Sequence, residues 1–190
     1  GDPVRVRDAT RVIKQEIDRL DRVIKALLDF GRPSAPTLRM TNVEDVVSDV
    51  VLFTRQFAGQ SKVEIETEFS AADPLVLADA DQLKQVFVNL VSNAVQAMED
   101  GGGAIKVRVW DDDAFVLASV ADTGPGMAPE VLEKVFDPFY STRDGGTGLG
   151  LTIVHRIIDQ HGGRVEVDSA PGRGTRFTVA LPARSRGEGS

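Results

Sequence analysis

The chain has 190 residues, 42% apolar and 27% charged, and its 22 Lys and Arg against 29 Asp and Glu give a net charge of −7. This length can bury a core; having no cysteine excludes disulfide scaffolds, cysteine zinc sites and thiol catalysis, and two histidines leave little for a His-rich metal site. The acidic balance has the wrong sign for binding nucleic acid through phosphates, and no apolar run approaches the roughly 18–20 residues of a membrane span, so a soluble, cytoplasmic chain without direct membrane contact is expected.

From Val6 to Leu27 the positions Val6, Thr10, Ile13, Ile17, Leu20, Ile24 and Leu27 alternate spacings of four and three, the pattern of a heptad seam. The seam predicts one long helix within 1–33. Its mate is another chain or a segment outside these residues; packing on its own domain is the alternative. Gly31 and Pro33 end the helix, and 34–36 read as a linker.

The main domain is expected over 37–184. Asn42 caps a helix with the stripe Val43, Val46, Val47, Val50 and Val51, extended by Phe57. Strands follow at 63–69 and 75–78, then a long helix over 81–98 that Gly101-Gly102-Gly103 stops. Strands at 105–110 and 115–120 flank Asp111-Asp112-Asp113, a hairpin signal. A helix near 149–161, a strand from 164, a turn at 171–174 and a strand at 175–181 complete the order, with a frayed tail at 185–190. Only three of the eighteen glycines precede residue 100, so the front reads as helical and the back as loop-rich. Mixed helices and hairpin-linked strands predict an α+β fold, a two-layer α/β sandwich with helices on one face of a mixed, mainly antiparallel sheet.

Three motifs carry chemistry. On the long helix Gln82, Gln85, Asn89, Asn93 and Gln96 recur three and four apart, so they share one face. Asn is a mediocre helix former, and two on one face suggest a polar ligand above them; a solvated face is the bland alternative. Carboxamide oxygens can bind a hard cation such as Mg2+, and the amide can donate to phosphate. At a strand end, Asp122-Thr123-Gly124-Pro125-Gly126-Met127 presents a fixed carboxylate able to accept from an exocyclic amine, although an ordinary glycine turn would look the same. Finally, Asp144-Gly145-Gly146-Thr147-Gly148-Leu149-Gly150-Leu151 is a glycine loop running into a helix, suited to anions or to a plain hinge. It matches neither the Walker A nor the Rossmann pattern. Between the last two lies Phe136-Asp137-Pro138-Phe139-Tyr140-Ser141-Thr142-Arg143, aromatics able to anchor a lid and a cation able to reach phosphate. His155 and His161, six apart, read as structural.

Gln85 to Ala97, Asp122 to Gly126, Phe136 to Phe139 and Gly146 to Leu151 resemble, in order and spacing, the N, G1, F and G2 boxes of sensor histidine kinases, most of all the nitrogen-regulation type. The likeness runs from about Thr37 to Pro182, and Glu16 to Pro33 is similar to the second helix of that family's dimerisation and phosphotransfer hairpin. The resemblance implies the Bergerat ATP-binding fold shared with gyrase, MutL and the heat-shock chaperone ATPases. It implies that Asn93 ligates Mg2+ with Asn89 near the phosphates, and that Asp122 binds the adenine amine in a pocket shaped by Gly124 and Gly126 and supported by Thr175. It also implies an ATP contact for Phe139, closure of Gly146, Thr147, Gly148, Leu149 and Gly150 over the phosphates, and a phosphate contact for Arg143.

Catalysis would then rest on Asn89 and Asn93 as positioning and charge neutralisation. Related ATPases carry a general-base glutamate where Asn89 stands, so the resemblance favours a kinase over a hydrolase. It implies transfer of the ATP γ-phosphate to a histidine, relay to a response regulator receiver domain, and a homodimer formed through the hairpin. The family's acceptor histidine box is nowhere in these residues, so the chain is expected to bind Mg-ATP without phosphorylating itself. An anti-sigma-type protein-serine kinase shares the four boxes but lacks the coiled front helix; a nucleotide-binding switch module is the non-enzymatic alternative.

Overall fold

The computed structural model describes residues 35–99, 101–112, 114–143 and 146–184. The expected front helix, Asp113, Asp144, Gly145, the tail and the side chain of Phe57 lie outside the described residues.

Strand β1 (Arg39–Asn42) leads into helix α1 (Val43–Gln60), followed by β2 (Val63–Phe69) and β3 (Leu75–Ala78). Helix α2 (Ala80–Ala97) precedes the hairpin of β4 (Gly103–Asp111) and β5 (Phe115–Asp122). A single turn, α3 (Pro129–Leu132), and helix α4 (Gly150–Gln160) lead to β6 (Arg164–Ser169) and β7 (Thr175–Pro182). Five strands form one sheet in the order β2-β4-β5-β7-β6, parallel between β2 and β4 and antiparallel elsewhere, while β1 and β3 pair separately. The mixed, mainly antiparallel sheet matches the expected α+β sandwich.

Period-two alternation sets the layers. Ile105, Val107 and Val109 of β4 are buried, as are their β5 and β7 neighbours Val120, Ala118 and Val116 and Phe177, Val179 and Leu181. They meet the apolar faces of the helices, Val43 to Val51 from α1, Leu83 to Val95 from α2 and Ile153 to Ile158 from α4. On the opposite face of β4, Lys106 and Arg108 pair with Glu68 at 2.7 and 2.9 Å.

The start of α2 is fixed from two sides. Asp79 accepts the N–H groups of Asp81 and Gln82 as N-cap, and that of Thr37 beside β1. Its own N–H donates to Nε2 of the buried His161 at 3.0 Å, which places the imidazole proton on Nδ1, 2.7 Å from the Ile157 carbonyl. His161 therefore has the structural role expected of it, tying the end of α4 to the start of α2.

Two elements escape the sequence reading. In β1 only Thr41 is buried, so four residues show no alternation. The turn α3 buries none of its residues and is marked only by Pro129 at its start.

Candidate functional site

A cleft of about 880 Å3 opens between α2, the end of β5 and the loop before α4. The second half of α2 forms one wall: Asn89, Asn93 and Gln96 line it, whereas Gln82 and Gln85 lie outside it. The carboxamide stripe thus divides into a cleft half and a remainder. The Asn89 side-chain nitrogen Nδ2 is buried with no hydrogen-bond partner among the described residues. An unpartnered buried amide costs about 1–3 kcal/mol, so its persistence at a cleft wall fits a group that receives a ligand acceptor.

Asp122 forms the floor at the end of β5. Its Oδ1 accepts the backbone N–H of Gly124 at 2.8 Å and of Thr175 at 3.2 Å, which fixes the carboxylate plane and leaves Oδ2 as the oxygen able to take an incoming donor. Burial pushes the Asp122 carboxyl above the ordinary aspartate range, against the opposing pull of those two N–H groups and of Arg143. The turn after Asp122 interlocks with the β6–β7 turn. A Cβ at Gly126 (φ +67°) would stand 2.0 Å from the Ala170 carbonyl oxygen, and one at Gly174 (φ +74°) 2.0 Å from that of Asp122. Both sites demand glycine for space as well as backbone conformation.

The facing wall is the start of α4. Gly150, its first residue, would carry a Cβ 3.6 Å from Asn89 Oδ1, so the helix N-terminus and its unpaired N–H groups stand beside the unpartnered amide. Gly148 takes φ +64° and crosses the backbone of Phe139 and Tyr140 so closely that a Cβ would come within 2.3 Å of it; the Phe139 N–H donates to the Gly148 carbonyl. Arg143 bridges to α2, donating to Gln96 Oε1 at 2.9 Å and to the Asn93 carbonyl at 3.1 Å.

Asn89, Asn93, Asp122, Gly126, Arg143, Gly146, Thr147, Gly148, Gly150 and Thr175 all line this one cleft. Three expected residues do not. Leu149 is fully buried because the apolar side chain at the α4 N-cap packs into the core. Phe139 is 62% exposed, its left-handed backbone (φ +64°) turning the ring outward. Gly124 stands behind Asp122 and acts through its N–H. The core anchor among these aromatics is instead Phe136, whose ring meets His155 at 5.5 Å and Phe177 at 6.3 Å.

Sequence reasoning also missed Ser169. Its Oγ accepts the Met127 N–H, donates to the Gly174 carbonyl and contacts Thr175 Oγ1. The only signal was its place at a strand end beside the Pro171 to Gly174 turn.

Residues 78–185 match the model of the histidine kinase-, DNA gyrase B- and HSP90-like ATPases. The chain belongs to this ATPase family. Sensor histidine kinase ZraS of Escherichia coli O157:H7 is 40% identical over 174 residues, covering 90% of this chain and 37% of that protein. Full-length ShkA in complex with AMPPNP aligns at 32% identity with a TM-score of 0.78, over 93% of this chain and 39% of that one. Histidine kinase ThkA in complex with the response regulator TrrA aligns at 28% identity with a TM-score of 0.81, over 99% and 54%. The chain spans somewhat more than a third of the length of the ZraS relatives it matches. Among the described residues no helix is long and apolar enough to cross a membrane.

Proposed function

We propose that this chain is the nucleotide-binding and phosphoryl-donating part of a cytoplasmic sensor histidine kinase, and that its cleft holds Mg-ATP. The reading rests above all on the buried, unpartnered Asn89 amide standing beside the α4 N-terminus. It is supported across the cleft by an Asp122 carboxylate whose free oxygen suits the adenine amine. In this arrangement the base end and the phosphate end of one nucleotide each meet groups of the right polarity.

The chemistry is mostly positioning and charge neutralisation. Asp122, Gly126 and Thr175 hold the base; Asn89, the α4 N-terminus and the glycines at 146, 148 and 150 receive the phosphates, with Arg143 as the cation beside them. The Asn93 carboxamide oxygen is a hard donor suited to Mg2+, which supplies charge neutralisation at the phosphates when bound. A neutral amide at position 89 has no basicity with which to take a proton from water, so the site favours transfer over hydrolysis.

The γ-phosphoryl group passes from ATP, leaving ADP, to a histidine nitrogen of the phosphotransfer hairpin that such kinases carry; a receiver-domain aspartate takes it next. In the parent protein the hairpin makes the homodimer. The fold neighbours solved with AMPPNP and with a response regulator support this assignment. Calorimetric titration with Mg-ATP and Mg-ADP tests it: one site per chain is expected, closed to nucleotide by Asp122→Ala. No heat of binding with either nucleotide would overturn it.

A further inference from the structure

The hydroxyl of Ser169 sits at a crossing of three contacts: the Met127 N–H at 2.9 Å, the Gly174 carbonyl oxygen at 2.9 Å and Thr175 Oγ1 at 3.0 Å. A serine hydroxyl has one proton and two lone pairs. The Met127 N–H can only donate and the Gly174 carbonyl can only accept. With the Ser169 proton committed to Gly174, the contact between the two hydroxyls has one remaining arrangement: Thr175 donates to Ser169.

We infer that Ser169 is a positioning residue that fixes the polarity of the nucleotide cleft by consuming the Thr175 proton, so that Thr175 presents only lone pairs to a bound base. This rests on the nucleotide reading above and deepens it. Thr175 Oγ1 belongs to a cleft-lining residue, and Asp122, ionised, also offers only acceptors there. A cleft edge made of two acceptors matches a purine that presents an amino group and repels one that presents a carbonyl oxygen at the same position. Neither Asp122 nor Thr175 alone secures this, because a threonine hydroxyl left to rotate could donate to a carbonyl and accept the wrong base. Ser169 removes that freedom without touching the ligand; it is not among the residues lining the cleft.

The test is the ratio of Mg-GTP to Mg-ATP dissociation constants, measured by calorimetry on the full chain and on Ser169→Ala and Ser169→Thr. In Ser169→Ala the Thr175 proton is released, and the ratio is expected to fall by about tenfold or more, the size of one restored hydrogen bond. Ser169→Thr, which keeps the hydroxyl, is expected to hold the wild-type ratio. A purely structural role would weaken both nucleotides alike and leave the ratio unchanged, and that result overturns the inference. Should Ser169→Ala not fold, Ser169→Cys, near in size and a poor acceptor, carries the same expectation and the same overturning result. Failure of the wild-type chain to bind either nucleotide would sink the nucleotide reading itself, whereas tight ATP binding with an unmoved ratio sinks only the role of Ser169.

Discussion

Thr175 donates its backbone N–H to Asp122 Oδ1 across the β5–β7 pair, in the same register that places Asp122 opposite Thr175. The last strand of the sheet therefore orients the carboxylate delivered by a strand more than fifty residues earlier. Asp122→Asn keeps an oxygen for the two backbone donors and replaces the ligand-facing one with an amide donor. Because burial raises the carboxyl of folded Asp122, the native chain binds more protons than the unfolded chain between the ordinary aspartate value and the native one, and stability falls as pH rises through that window. The cost persists at neutral pH. Thermal melts at pH 7 should show Asp122→Asn at least as stable as the wild type, with the difference shrinking toward pH 4, while calorimetry shows ATP binding lost. Reduced stability with binding retained would contradict the assigned role.

The opposite sign applies at Asp79. Burial alone would raise this carboxyl, but the N–H groups of Thr37, Gln82 and Asp81 outweigh burial and hold it below the usual range. Its contribution is complete above the ordinary aspartate value and disappears as pH falls through the lower native value. An Asp79→Ala chain should accordingly melt below the wild type at pH 7 and approach it in strong acid, as followed by circular dichroism.

His161 gives a stability prediction independent of any ligand. His161→Ala removes a buried ring and the acceptor of the Asp79 N–H, and should cost about 3 kcal/mol in urea unfolding. His161→Gln can restore an acceptor and should recover part of that loss. Equal midpoints for wild type and His161→Ala would show that the link from α4 to α2 carries no load.

Gly126→Ala forces a side chain against the Ala170 carbonyl at positive φ. The backbone strain alone is about 1–2 kcal/mol, and displacement of the β6–β7 turn should abolish ATP binding. A Gly172→Ala control has a positive φ but nothing within 4 Å of the added Cβ, so it should lose stability and retain binding. The two variants separate backbone strain from the interlock of the turns.

Arg143 should discriminate between nucleotides by their terminal phosphate. Its guanidinium bonds Gln96 Oε1 and the Asn93 carbonyl beside the proposed phosphate end. Arg143→Ala is expected to weaken Mg-ATP several-fold and Mg-ADP little, read by calorimetry; equal losses would remove Arg143 from the γ-phosphate.

Much of this was legible in the chain because periodic burial writes itself into periodic sequence. Leu83, Val86, Phe87, Leu90 and Val91 announce α2, and Ile105, Val107 and Val109 announce β4. Asp122 and the glycines at 126, 146 and 148, which line the cleft, were legible because a chemistry-bearing carboxylate and positive-φ or close-approach positions restrict residue type. β1 was missed because a short strand with one buried residue leaves no period. Phe139 and Leu149 sit inside a recognisable motif, yet motif membership does not say which way a side chain points; that is decided by the left-handed backbone at Phe139 and by core packing at Leu149. Ser169 was invisible for a different reason: its three partners are brought together only when the turn after β5 meets the turn between β6 and β7.

The proposed donation of the ATP γ-phosphate to a hairpin histidine is open to direct measurement. The direct measurement incubates the chain and Mg2+ with γ-labelled ATP, alone and with a separate hairpin fragment bearing the acceptor histidine of a sensor kinase relative, and follows acid-labile label on each polypeptide. Label is expected on the added fragment and none on this chain, with transfer lost in Asp122→Ala. Acid-labile label on this chain alone, or ATP binding with no label on the fragment, would contradict it.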